Sequence, residues 1–177
     1  MRAAARLAGH YRRDLIKERD AALAAVLAAL DGVDDPDTFP YLGAALTTVG
    51  IGRQVSLADV YLALALTVAR REPVPVLGLL PSAYADPARL ETAFSTALET
   101  YDDPAPAVTR IVSAETTGAG RESLTEGMTR RRVGWTRHTG GNACPLCTSL
   151  ADGSVLPPDV AMVDHPGCAC VAEIVSD

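Results

Sequence analysis

Apolar residues in the first part of the chain recur at intervals of three and four. Ile16, Leu23, Val26, Leu27 and Leu30 fall on one stripe, the spacing of an amphipathic helix. The stripe stops at Asp31-Gly32, and VDDPDTFP over 33–40 reads as a loop from its aspartates and prolines. A second helix is expected to begin at Ser56, whose hydroxyl would cap it, with Asp59 favouring the helix N-terminus. Leu57, Val60, Tyr61, Leu64 and Val68 then line one face. Alanines and Leu62 carry apolar character around much of the remainder, as expected of a central helix.

The stretch EPVPVLGLLPSAYADP over 72–87 holds four prolines and is excluded from regular helix. Asp86-Pro87 is a cap followed by proline at the first helical position, and Leu90, Phe94, Ala97, Leu98 and Tyr101 continue that stripe. Asp103-Pro104 repeats the start signal. The helix it opens carries Val108, Ile111 and Val112, then meets Gly118 and Gly120, which are expected to break or loosen it before Leu124 and Met128. After Arg132 the pattern changes: VGWTRHT (133–139) is β-prone, GGN is a turn and CVAEIV (170–175) reads as a short strand. The expected fold is mainly α, with a helical body over 1–132 and a small antiparallel β module over 133–177.

A length of 177 residues fits one domain, or one with a small appendage. The net charge of −6 argues against a protein whose main task is coating nucleic acid. The N-terminus has arginines but no apolar run behind them, and the longest apolar run, VYLALALTVA over 60–69, falls short of the roughly 20 residues that cross a bilayer. The expectation is a soluble protein made in a reducing cytoplasm without membrane contact, where clustered cysteines bind metal rather than pair.

All four cysteines lie in the last quarter, in CPLC at 144–147 and HPGCAC at 165–170. Two thiolates two residues apart point at one ion, and Pro145 stiffens the loop between them. Cys144, Cys147, His165, Cys168 and Cys170 are therefore candidate ligands for one zinc ion, which takes four. The reading favours Cys144, Cys147 and His165 with either Cys168 or Cys170. Residues 168 and 170 of an extended segment project on the same side, so the choice stays open. Four protein ligands leave no place for water, which makes the site structural, a staple contributing on the order of 10 kcal/mol. A redox CxxC is the rival, and it lacks the strand–CxxC–helix setting.

Catalytic patterns are missing from the sequence: there is no HExxH, no HxE ahead of a PCxxC, no nucleophile elbow and no P-loop. No enzyme activity and no small-molecule substrate are expected. Arg130-Arg131-Arg132, with Arg137 nearby, is the dense basic patch. Cations at a helix C-terminus account for it, and a contact with DNA phosphates or with an acidic partner surface is the sharper alternative.

The order Trp135, Cys144-Pro-Leu-Cys147, Leu150, Gly153 and His165-Pro-Gly-Cys168-Ala-Cys170 resembles the C-terminal signature of the MuF-like minor head proteins of tailed bacteriophages. RIVSAETTGAGRESLTEGM over 110–128 is similar to the helix that leads into that module in the family. The resemblance covers about residues 105–177, and it departs from the family at Ala169, where a basic residue is often found. It implies a minor capsid protein in the virion head, associated with the portal or head interior and acting in head morphogenesis or genome delivery. Partners implied are the portal protein or the major capsid protein, with packaged DNA as a further contact. The alternative is a zinc-stabilised accessory module that binds nucleic acid or protein.

Overall fold

The computed structural model describes residues 2–81, 85–140, 143–162, 168 and 170–175. In chain order these form α1 (Arg2–Gly32), a 3-10 turn (Pro36–Thr38), α2 (Phe39–Arg70), α3 (Pro87–Thr100), α4 (Ala105–Arg131), β1 (Gly134–His138), a short α5 (Pro145–Ser149) and β2 (Val171–Val175). The fold is mainly α with a two-stranded antiparallel sheet near the C-terminus, as the sequence pattern predicts.

The centre is α2, against which α1, α3 and α4 all pack. It begins at Phe39 rather than Ser56, and the Ser56 hydroxyl donates to the Gly52 carbonyl at 2.9 Å inside the helix. Gly43, Gly50 and Gly52 conceal this helix in the sequence, because glycine is among its poorest formers. Packing supplies the reason for one of them: a Cβ on Gly50 would stand 2.7 Å from the Ala22 Cβ on α1. The face expected to point inward is also displaced. Tyr61 is buried, but Val60, Leu64 and Val68 are exposed, and the core takes Val55, Ala58, Leu62 and Leu66 instead. An alanine-rich helix that is apolar all round gives no stripe from which to read its rotation. By length and composition α2 is long and apolar enough to cross a bilayer, yet most of that stretch is buried within the fold.

Asp86 caps α3 through the N–H groups of Ala88 and Arg89, at 3.1 and 3.4 Å, and Leu90, Phe94 and Ala97 are buried as expected. Tyr101 is not part of that stripe; it ends the helix and lies half-exposed. Gly118 and Gly120 do not break α4, which runs through them to Arg131. The neighbour at Gly120 is Gln54, 3.3 Å from where a Cβ would sit, so the glycine serves the approach of α4 to α2. Gln54, buried at this crossing, donates to the Leu15 carbonyl at 2.8 Å and ties α1 to α2.

Residues 72–81 form an extended strap held by side chains of the helices. The buried Asp59 carboxylate accepts from the N–H groups of Leu77, Gly78 and Leu79 at 2.8, 2.7 and 3.1 Å. Gly78, at φ 68°, makes the turn that aims consecutive donors at one acid. Asp59 therefore binds the strap rather than supporting a helix start at Ser56.

The strands pair with Trp135 opposite Ile174 and His138 opposite Val171. Their buried side chains, Trp135, Val171, Ala172 and Ile174, form one core cluster with Ala8, Tyr11, Tyr61, Leu62, Leu124 and Met128 of α1, α2 and α4. Strands β1 and β2 thus share a core with the helices. A second cluster, around Val26, Phe39, Ile51, Phe94 and Val112, fills the other end of the bundle.

Candidate metal centre

The knuckle is a tight turn into α5. Cys144 sits in extended conformation at the N-cap, with Pro145 in the first turn, where a missing N–H costs nothing. Its Sγ accepts from the Cys147 N–H at 3.3 Å, and its carbonyl accepts from the Thr148 N–H at 2.9 Å. This local geometry turns the Cys144 and Cys147 side chains toward each other.

Trp135 carries the returning chain back. Its N–H and carbonyl pair with those of Leu156 at 3.0 and 2.8 Å, and its indole donates to the Val160 carbonyl at 3.2 Å. Between knuckle and bridge lies the Asp152-Gly153 turn, with Gly153 at φ 84° and the Ser154 N–H donating to Asp152 at 2.8 Å.

Cys147, Cys168 and Cys170 converge: their sulfur atoms all lie within 4.8 Å of one another, and the three residues are buried. Cys144 packs on the same cluster. The Cys147 and Cys168 sulfurs are 3.4 Å apart. A disulfide would bring them to about 2.05 Å. Zinc–sulfur bonds of about 2.3 Å in a tetrahedron set sulfurs roughly 3.8 Å apart, so the donor set fits a shared ion. Both Cys168 and Cys170 face Cys147, so position does not separate the two residues between which the sequence leaves the choice open. His165 lies outside the described residues.

Burial, followed by hydrogen bonds to the neighbouring thiols, pushes the Cys147 thiol up. Burial also raises Cys170. Burial acts the same way on Cys168, but the Cys170 N–H, the Cys147 and Cys170 thiols and the Arg121 charge outweigh it and bring Cys168 down to about 7. One sulfur of the cluster is thus prepared to carry negative charge at neutral pH, and a thiolate is the form that binds metal.

Arginines surround these sulfurs. Arg121, on α4, donates to the Cys168 carbonyl at 2.7 Å and the Cys170 carbonyl at 3.4 Å. Arg137, on β1, acts on the Cys170 thiol and opposes the rise that burial causes there. A Cβ at Gly140 would run into the Arg12 guanidinium, so α1 presses directly on the approach to the knuckle. Sequence reasoning did not mark Arg121; the available signal was a cation set among small residues in TTGAGRES, in a segment otherwise bound for the interior.

The remaining polar candidates have structural partners. His138 faces Glu173 across the sheet at 3.5 Å. Arg130 pairs with Glu126, Arg131 donates to the Pro75 carbonyl at 2.7 Å and Arg132 ends α4 in left-handed conformation at φ 56°. The basic patch serves the helix terminus and the strap. Comparison of the chain with models of protein families, with curated proteins and with solved structures finds no match.

Proposed function

We propose that this chain is a minor head protein of a tailed bacteriophage whose C-terminal module is closed by one structural zinc ion. The observation that carries the reading is the convergence of Cys147, Cys168 and Cys170, the sulfur-bearing parts of the CPLC and HPGCAC signature, at the edge of a helical core. Cys144 or His165 completes four ligands. A site with four protein ligands has no open position, so its contribution is to folding rather than to chemistry. The role is then a rigid binding unit without catalysis. The exposed row Val49, Val60, Leu64 and Val68 along α2 supports docking on the portal or the head shell, since aligned apolar residues left at a surface favour contact with a partner.

Mass spectrometry of gradient-purified particles and assembly intermediates from the source strain tests the head role. The expected result is a few to some tens of copies per particle, and absence from both preparations would sink it. Metal per chain, measured on protein purified under reducing conditions, tests the zinc separately. One zinc per chain is expected, lost in Cys147→Ser.

A further inference from the structure

We propose that Arg121 is the positioning residue of the metal centre, holding the Cys168 and Cys170 backbone so that both sulfurs face Cys147 and coupling metal occupancy to α4. The proposal rests on the metal reading above and deepens it.

The geometry is specific. One guanidinium nitrogen, Nη2, reaches both carbonyls, at 2.7 and 3.4 Å. Holding the Cys168 and Cys170 carbonyls restrains the backbone from which both thiols project toward Cys147. Cys168 and Cys170 are buried, and their carbonyls lose these charge-assisted bonds if Arg121 is removed.

Charge points the same way. Three thiolates on a dication, with histidine as fourth ligand, leave a net charge of −1, and four thiolates leave −2. Arg121 is partly buried and faces Cys168, so it places a permanent cation against that excess. Arg121 projects from the middle of α4, whose neighbours Ala119, Gly120 and Leu124 are buried in the body. Any change in ligand geometry is felt there directly. The sequence separation is 47 residues to Cys168, so the contact is tertiary and not a feature of the knuckle alone.

The test compares full-length wild type with Arg121→Gln, Arg121→Lys and the surface control Arg53→Gln. Each protein is stripped with chelator and titrated with Zn²⁺ in competition with a chromogenic chelator. Co²⁺ substitution then reports the thiolate charge-transfer spectrum, and helix ellipticity is followed on heating with and without metal. Arg121→Gln should bind about 10–100-fold more weakly, the usual effect of losing an outer-shell partner. Its Co²⁺ spectrum should be altered, and the metal-dependent gain in melting temperature of the helices should shrink. Arg121→Lys, which keeps the charge but not the fork, should recover part of the affinity, and Arg53→Gln should match wild type. Should Arg121→Gln fail to fold, Arg121→Lys carries the same comparison. Wild-type affinity and spectrum in the Arg121 variants would overturn the proposal while leaving the metal reading intact. Failure of wild type to bind metal would overturn both.

Discussion

The Tyr61 hydroxyl donates to the Ala172 carbonyl at 2.7 Å, across 111 residues of chain. It joins the central helix to the strand that begins beside Cys170. Both residues are buried, and the Tyr11 ring stacks on Tyr61 with centroids 4.2 Å apart and planes 2° from parallel. Tyr61→Phe keeps the ring and its stacking but leaves the Ala172 carbonyl without its donor. The loss should be about 1–2 kcal/mol, a fall of roughly 3–6 °C in melting temperature. Circular dichroism on heating measures it, and an unchanged transition would remove the bond from the account.

The same pair sets a limit at high pH. Burial pushes the ionisation of Tyr11 and of Tyr61 well above the ordinary value of 10.0, and for Tyr11 the neighbouring Tyr61 adds to it. The folded chain therefore holds both phenols neutral where the unfolded chain releases their protons. Stability from this source is full below about pH 10 and falls as pH rises above it. Urea midpoints at successive pH values from 8 to about 11.5 should be level at first and then drop. Tyrosinate absorbance should rise together with unfolding rather than before it.

Asp59 holds three consecutive strap donors, Leu77, Gly78 and Leu79, on two carboxylate oxygens. In Asp59→Asn one oxygen becomes an amide that turns donors toward donors. A cost of about 2–4 kcal/mol is expected, since bonds to a charged, buried acceptor exceed neutral ones. Hydrogen exchange at residues 77–79 should accelerate more than exchange in α4. Uniform acceleration would show that the strap is not a separate unit.

Elements with strong local punctuation were legible in the sequence. Asp86-Pro87 and Asp103-Pro104 mark the starts of α3 and α4, and the β-prone ends of the last segment do pair as β1 and β2. The start and rotation of α2 were not legible. Gly43 and Gly50 serve close packing, a tertiary need that no propensity reports, and the apolar residues of α2 surround the whole circumference. Gly120 misled for the same reason, because it lets α4 approach Gln54 of α2.

At the candidate metal centre the cysteine spacing was enough to mark Cys147, Cys168 and Cys170, the sulfurs that converge, because CxxC geometry is local. What closes the cluster is not local. Trp135 draws back the segment through Leu156 and Val160, and Arg121 reaches Cys168 from α4. Such contacts depend on how helices stack, which leaves no periodic trace in a single sequence. The same holds for Arg131, whose bond to Pro75 belongs to the strap although its place in a run of three arginines resembles a phosphate-binding patch.

Gly50 and Gly52 provide the sharpest contrast, since they are two residues apart on one helix and should respond oppositely to alanine. A Cβ on Gly50 would meet the Ala22 Cβ at 2.7 Å and the Thr116 methyl at 3.2 Å. Because the Ala22 Cβ is fixed to its backbone, α1 must move away from α2. Overpacking of this kind costs about 1–3 kcal/mol. The intrinsic helix preference of alanine over glycine returns only about 1 kcal/mol, so Gly50→Ala should be net destabilising. At Gly52 nothing lies within 4 Å of the added methyl, and only the propensity gain remains. Gly52→Ala should therefore stabilise the fold by about 0.5–1 kcal/mol. Urea unfolding of the two variants beside wild type measures both shifts. Shifts of the same sign would mean that the close approach of α1 to α2 at Gly50 does not govern their packing.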